Sequence, residues 1–252
     1  MKARLISLIL ALAALMLCSC SFDTGNPPPA KSTDVPENEN TAGGSIAVQD
    51  VPPGRILDYF NEVALGSEYG ESTDVLCKWT KTVLYTVEGS ATEDDLTLIG
   101  ELCERLNTIE GFPGIRKAII PGTANFVISF VENGKIEEMF EAADGNCVGM
   151  AEYSWDSSTG EILSARAAID ETITDERCST VCEEFLQALG PACDSYSYIN
   201  SVFYEGVTLV PRPSELDWAI MQILYSPEMP VGVHRADALA AASRLVSWET
   251  EQ

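Results

Sequence analysis

The first fifty residues leave only the segment 51–252 for a folded domain. An apolar run at 6–17 follows the cationic Lys2 and Arg4 and is interrupted by a single serine. This run is too short for a stable transmembrane helix and is typical of a bacterial export signal. Residues 21–50 are rich in Pro, Asn, Gly and Ser, so they offer little apolar surface for a core and indicate a flexible linker. The remainder has the length of one domain.

The export signal ends in Leu17-Cys18-Ser19-Cys20. This resembles the lipobox of bacterial lipoproteins, in which a Leu stands three positions before the modified Cys and a small residue precedes it. The resemblance implies cleavage before Cys20, lipidation of its thiol and acylation of the new amino terminus, which would anchor the chain firmly. A plain secretory signal is the alternative. The expected organisation is a signal peptide (1–19), a lipidated Cys with its linker (20–50) and a globular domain (51–252) outside the cytoplasm.

The charge and the histidine content exclude several functions. The chain has 15 Lys and Arg and 39 Asp and Glu, so its formal net charge is -24. Nucleic-acid phosphates would repel a protein with this charge. His234 is the only histidine, so multi-histidine metal sites are excluded. The chain has no Gly-rich phosphate loop and no GxSxG elbow around a nucleophilic serine. We expect no nucleic-acid partner and no cofactor, with His234 as a surface or capping residue.

The hydrophobic periodicity predicts a single α+β domain. A hairpin signature, Asp156–Gly160, separates two strand-like segments. Thr92 and Thr174 are expected to cap helices, and Gly190 with Pro191 to end one. The expectation is a small mixed sheet with a hairpin, followed by a helix and a helical C-terminal part. The predicted helices are 55–65, 92–109, 135–142, 174–189, 213–224 and 236–248, and the predicted strands are 83–87, 125–131, 148–155 and 162–169.

Several short segments, taken in order, resemble the domain of unknown function 2927 family of bacterial secreted proteins. The most specific is Cys182–Asp194, with the sequence CEEFLQALGPACD. Each segment is weak alone, but the ordered set covers residues 55–232. The activity of that family is unassigned, so the resemblance implies architecture more than function. The supporting segments are 62–68, 78–79, 125–127, 165–170, 200–204 and 224–232.

The helix in this segment is similar to the active-site helix of zinc peptidases that carry HExxHxxGxxH. In that motif two histidines one turn apart bind zinc, the intervening Glu activates water, and a Gly permits the turn to a third ligand. Here the spacing is kept while the ligands are replaced. Glu183 and Gln187 stand at the first two ligand positions, Glu184 at the general-base position, Gly190 at the turn and Cys193 at the third ligand position.

This similarity implies a zincin-like fold that has lost its zinc chemistry. Carboxylate and amide oxygens from Glu183 and Gln187, with Cys193 or Asp194, would make a poor zinc site because zinc prefers imidazole and thiolate ligands. We therefore predict no metal. The candidate cleft residues are Glu183, Glu184, Gln187 and Asp194; the plainer alternatives are a solvated acidic turn, or side chains that only bond neighbouring backbone.

Three functions follow from these patterns. The first is a non-catalytic binding module of the cell envelope, a pseudo-peptidase that holds an unknown envelope protein or peptide in the cleft or along a sheet edge. The second is a divergent hydrolase or metallopeptidase in which Glu184 is the general base. The third is a passive structural lipoprotein.

Six cysteines lie in the predicted domain, an even number that in an exported chain suggests disulfides. Cys147 is expected to pair with Cys178 or Cys182, and Cys77 with Cys103. Buried thiols are the alternative, since Cys packs as a small hydrophobe. A zinc site from Cys178, Cys182 and Cys193 lacks paired CxxC spacing. The disulfide candidates are Cys77, Cys103, Cys147, Cys178, Cys182 and Cys193.

Overall fold

The computed structural model describes residues 46–66, 75–132, 134–143 and 146–247. The predicted signal peptide, Cys20 and most of the linker lie outside these residues. Helices are interspersed with strands over the first two thirds of the domain, and the last third is helical. The helices are α1 (Pro53–Leu65), α2 (Glu93–Leu106), α3 (Ile136–Met139), α4 (Arg177–Gln187), α5 (Glu215–Tyr225) and α6 (Arg235–Leu245), and the strands are β1 (Val83–Gly89), β2 (Ile115–Lys117), β3 (Phe126–Val131), β4 (Gly149–Trp155) and β5 (Ile162–Asp170).

The strands form one mixed sheet in the order β2-β1-β3-β5-β4. The first four strands in this order run parallel, while β4 runs antiparallel to β5 and forms the edge. The turn Asp156–Gly160 joins β4 to β5, as the hairpin signature predicts. This arrangement places β2 and β4 at opposite edges of the sheet.

The helices begin where local side chains satisfy their first backbone groups. Thr92 Oγ1 accepts a bond from the Asp95 amide at 3.2 Å, and Asp95 Oδ2 accepts one from the Thr92 amide at 2.7 Å, so α2 opens on a complete capping box. Ser214 and Asp217 form the same box at the start of α5. The cap predicted at Thr174 is wrong, because α4 begins after Glu176 and has no side-chain cap.

The core lies between the sheet and the helices. Helix α4 packs on β4 and β5 and against α2, while α1 packs on α5 and α6. A smaller apolar cluster, Ile136, Phe140 and Ala168, covers the other face of β5. Among the described residues, none of the helices has the length and apolar character needed to cross a bilayer.

The α+β prediction is confirmed, with differences at the ends of elements. Strand β2 was not predicted. The last helix ends at Leu245 rather than at residue 248. The folded part reaches back to Ile46, which is 8% exposed and bonds through its amide to the Leu245 carbonyl at 3.0 Å. Five residues assigned to the linker therefore belong to the folded domain.

Neither suggested disulfide pairing is present. Cys103, Cys178 and Cys182 are thiols, which removes one partner of the Cys77–Cys103 pair and both alternatives for Cys147. Cys103 and Cys182 are buried in the core, and burial raises the pKa of each thiol to about 12. The alternative interpretation, cysteines packed as small apolar side chains, describes these residues.

Candidate functional site

Helix α4 lies directly beneath the edge strand β4, and a glycine permits the close contact. A side chain at Gly149 would bring its Cβ within 2.4 Å of Thr180 Cγ2 and 2.5 Å of Glu184 Oε1. Glu184 is buried at 6% exposure under this strand, whereas Glu183 is partly exposed. The proposed general base is thus covered by the sheet edge, and Glu183 reaches the surface beside it.

The turn that follows α4 is held by three aromatic side chains. Trp79 Nε1 donates to the Ala188 carbonyl at 3.1 Å, and Tyr225 Oη donates to the Leu189 carbonyl at 2.6 Å. Tyr153, from β4, donates to the Gly190 carbonyl at 3.4 Å. These bonds satisfy carbonyls that the end of the helix leaves without intrahelical partners.

Gly190 occupies the turn position of the peptidase-like spacing, and it needs to be glycine. Its φ is 133°, in a region that L side chains rarely adopt, and an added Cβ would lie 2.8 Å from Leu224 Cδ2 and 3.0 Å from the Cys77 carbonyl. The chain therefore leaves α4 through a strained, tightly packed turn and continues toward Cys193 and Asp194.

Two of the four predicted cleft residues meet after this turn. Gln187 Nε2 donates to Asp194 Oδ1 at 2.5 Å. Gln187 is 8% exposed and Asp194 is partly exposed, so the bond lies at the base of the surface beside α4. Glu183 is one helical turn before Gln187 and shares its face of the helix.

The donor set does not fit zinc. The Gln187 side chain is held by the bond from its Nε2 to Asp194, and the third ligand position, Cys193, is packed against α1, where its backbone amide donates to the Val63 carbonyl at 3.1 Å. A Cβ on Gly66 would lie 3.0 Å from the Cys193 sulfur, which shows how closely the end of α1 covers that side chain. Within the described ranges, no group of three or more His, Cys, Asp or Glu side chains has the arrangement of a metal site.

A second acidic group, which sequence reasoning missed as a site feature, borders the same surface. Ser197 Oγ donates to Glu62 Oε2 at 2.7 Å, and Ser195 Oγ donates to the same oxygen. Since Ser195 follows Asp194 directly, these bonds hold the Glu62 carboxylate of α1 against the loop after α4. The family-like segment at 62–68 contained Glu62, but nothing in its spacing indicated this contact.

The outer edge of β4 offers backbone groups beside this acidic surface. Asp170 N donates to Val148 O at 2.9 Å, and in an antiparallel ladder the bonded pairs alternate. Gly149, Ala151 and Tyr153 therefore direct their amide and carbonyl groups away from β5. In the described part of the chain, no backbone bond joins these three residues to another element, but the Gly149 carbonyl already accepts from Cys147 Sγ at 2.8 Å.

A buried polar network fixes the loop that carries the acidic group. Tyr59 Oη bonds Ser201 Oγ, which donates to Asp217 Oδ1 at 2.5 Å, and Phe203 N donates to Ser201 Oγ at 2.9 Å. Burial raises the pKa of Tyr59 and of Asp217. All of these side chains lie in the interior, so the network positions α1, α5 and the loop rather than meeting a ligand.

Lys78 is also buried but serves the fold. Its Nζ donates to the Leu224 carbonyl at 3.1 Å and to the Met229 carbonyl at 2.5 Å, at the end of α5. Desolvation lowers its pKa to about 8. His234 immediately precedes α6 and supplies no side-chain cap.

Comparison with known proteins gives a family but no activity. The family model described as "Protein of unknown function (DUF2927)" matches residues 53–243, which is most of the described domain. No curated protein gives a significant match. The matched segment includes the sheet, α4 with its Gly190 turn, and the helices that support them. The chain belongs to the DUF2927 family.

Proposed function

We propose that this chain is a lipid-anchored envelope protein whose domain holds an extended polypeptide without cleaving it. The polypeptide would lie along the outer edge of β4, beside Glu183 and the Gln187–Asp194 pair. The lipid anchor follows from the lipobox-like segment that ends at Cys20. The peptidase-like spacing on α4 supports, as part of this proposal, a zincin-like cleft in which the ligand positions have other uses.

The outward backbone of β4 carries the proposal. Ala151 and Tyr153 present amide and carbonyl groups at the interval of an added strand, and Gly149 adds an outward amide, since its carbonyl already accepts from Cys147 Sγ. An uncovered edge strand invites pairing with other chains unless it is short, charged or covered. β4 has seven residues, and the three whose backbone faces outward are uncharged. Its one charged residue, Glu152, is paired with Arg166.

The chemistry of the cleft supports binding rather than catalysis. Glu184 is buried beneath Gly149 of the edge strand, and Gln187 Nε2 donates to Asp194. A hydrolase would need a general base that reaches the reacting group within hydrogen-bonding distance. The partly exposed carboxylates of Glu183, Asp194 and Glu62 instead favour a cationic segment of a partner.

Selection from a phage-displayed library of random peptides on the mature chain tests the binding. We expect peptides of extended, basic character whose binding is abolished by Ala151→Pro. That substitution removes an outward amide and leaves the β4–β5 bonds in place. Glu152→Gln, on the adjacent residue whose backbone faces β5, is the matched control and should bind as the wild type does. Equal binding by wild type and Ala151→Pro would contradict the proposal.

Turnover separates this proposal from the hydrolase alternative. The selected peptides are incubated with wild type and with Glu184→Gln, and cleavage is followed by mass spectrometry. Intact peptides with both proteins are expected. Cleavage that disappears in Glu184→Gln would establish Glu184 as a general base and overturn the non-catalytic assignment.

Vesicle flotation of the protein expressed in a bacterium tests the anchor separately. The wild-type protein should float with membranes, and Cys20→Ser should not. Flotation of both, or of neither, would contradict lipidation at Cys20.

A further inference from the structure

The edge of the sheet formed by β2 carries a surface unlike the rest of this acidic protein. Arg116 and Lys117 are exposed. Among the cationic side chains of the described ranges, these two are the ones without an ion pair, a hydrogen bond or a ring contact. The next residues outward are also uncovered, with Ile119 90% and Ile120 63% exposed. Two cations and two bare isoleucines therefore project from one short stretch, which we term the β2 edge (Arg116–Ile120).

The chain enters the domain near the start of β2. Ile46, the first described residue, lines a surface hollow of about 380 Å³ together with Thr108 and Ile109. The side chain of Asn107, in that same turn, donates to the Ile115 carbonyl at 3.0 Å and accepts from the Ile115 amide at 2.9 Å. The arriving chain and the start of β2 thus lie around one turn.

We propose that the β2 edge docks on the anionic surface of the bilayer to which the chain is anchored. This rests on the lipid anchor of the proposed function. Each cation near an anionic membrane strengthens binding roughly fivefold. Exposed isoleucines enter the boundary between headgroups and acyl chains. A protein with a net charge of -24 is otherwise repelled by such a surface, so this basic edge is the side that can approach it.

Because the anchor tethers the domain to the membrane, a surface that binds lipid only weakly is sufficient for docking. Docking of a tethered domain is intramolecular, so it is governed by an effective concentration rather than by the affinity of a free protein. The 26 residues from Cys20 to residue 45 can reach at most about 90 Å even when fully extended. That reach keeps the β2 edge close to the lipid whenever it undocks.

Docking in this way would orient the peptide-binding edge. The strand order places β4 at the far side of the sheet from β2. Four strand spacings separate them, about 19 Å. The edge that is proposed to hold a polypeptide would then face away from the membrane, toward other envelope components.

Hydrogen exchange on vesicles tests the docking. The mature chain, held by an amino-terminal histidine tag on vesicles that contain nickel-chelating lipid, is compared on phosphatidylglycerol and on phosphatidylcholine. We expect slower amide exchange at residues 115–120 on phosphatidylglycerol. Arg116→Gln with Lys117→Gln should reduce the ratio of docked to undocked protein by roughly 25-fold. Ile119→Ser with Ile120→Ser should also remove the protection.

The control uses another exposed apolar pair. Val207 and Leu209 are 79% and 64% exposed, and Val207→Ser with Leu209→Ser should leave the protection intact. Equal exchange on the two lipids would overturn the proposal, and so would protection by soluble polyglutamate without vesicles, which would assign the surface to an acidic polypeptide. Because the tag replaces the native lipid, this result is independent of the Cys20→Ser flotation experiment.

Discussion

Arg177 binds both carboxylate oxygens of Asp95 and thereby joins the first turns of α4 and α2. Its Nε lies 2.9 Å from Asp95 Oδ1, and its Nη2 lies 2.8 Å from Oδ2. The two side chains are only 12% and 5% exposed. The same guanidinium donates to the Glu171 carbonyl at 2.9 Å and stands 5.0 Å from the centre of the Phe130 ring. Since α4 carries the candidate site, this pair sets where that helix starts relative to the sheet.

Arg177→Met should destabilise the domain by about 3 kcal/mol, because it leaves the buried carboxylate of Asp95 without its charged partner. Urea unfolding measures the change. Arg212→Met is the matched control. Its partner is Glu101 at 2.7 Å, but those side chains are 47% and 50% exposed, so the loss should be about 0.5 kcal/mol. Similar losses in the two variants would contradict the structural role given to Arg177.

The Arg177–Asp95 pair also predicts how the stability of the domain changes at acidic pH. Burial alone would raise the pKa of Asp95, but hydrogen bonds from Arg177 and Thr92 bring it below its usual value. A carboxylate with a lowered folded-state pKa stabilises the fold above its unfolded-state pKa, and this is lost as pH falls through the folded-state value. The advantage of wild type over Arg177→Met should therefore shrink as pH falls below about 5. An advantage that is constant from neutral pH to acid would contradict this assignment.

The sequence predicted the elements whose signals are local. The spacing of Thr92 and Asp95 places a cap and its returning carboxylate within one turn, and α2 begins there. Glu183 and Gln187 share a helix face for the same reason. Strand β2 has three residues, too few for any period to be visible, and the Asn107 side chain fixes its position from outside the strand.

The parts of the site that were not predicted depend on distant contacts. Glu62 meets Ser195 and Ser197 across more than a hundred residues of chain, and no spacing in either segment indicates it. The disulfide pairings were wrong because an even number of cysteines says nothing about their distances. Cys103 lies on the buried face of α2, where it packs as an apolar residue.

Gly149→Ala tests the contact between β4 and α4. The new methyl group would meet Thr180 Cγ2 and Glu184 Oε1 at 2.4 and 2.5 Å, so the strand or the helix must shift, at a cost of about 1–3 kcal/mol. Thermal or urea unfolding gives the value. Thr180→Ser with Glu184→Ala should recover most of it, since those changes remove the clashing atoms.

Gly100→Ala is the control for the same substitution. Gly100 lies inside α2, and an added Cβ would meet nothing within 4 Å. The change should stabilise the domain by about 1 kcal/mol because alanine favours helix over glycine. Opposite signs at the two glycines are the expected result, and destabilisation at both would show that glycine replacement is harmful for another reason.

The lowered pKa of Lys78 predicts that the free energy of unfolding depends on pH in the alkaline range. Desolvation lowers its pKa to about 8, so in the folded state it loses its proton before it does so in the unfolded chain. Between that pH and about 10.4 the unfolded state binds more protons than the folded state, so the free energy of unfolding rises with pH over this range. The difference in unfolding free energy between wild type and Lys78→Met should therefore move in favour of wild type over that range. Lys81→Met, at a side chain that is 77% exposed, should show no such trend. A flat difference for Lys78→Met would refute the lowered pKa.

Introducing imidazoles at positions 183 and 187 tests whether α4 has the geometry of a zinc-binding helix. Glu183→His with Gln187→His places two ligands one turn apart, and Asp194 Oδ1 already lies 2.5 Å from the side chain at position 187. We expect about one zinc per chain by atomic emission after purification without chelator, whereas wild type should bind none. Adding Asp194→Asn should weaken zinc binding by more than about tenfold, since the charged carboxylate ligand becomes a neutral amide. A doubly substituted chain that folds but binds no zinc would show that the likeness to a peptidase helix stops at its spacing. Stoichiometric zinc in the wild-type protein would instead favour the hydrolase alternative.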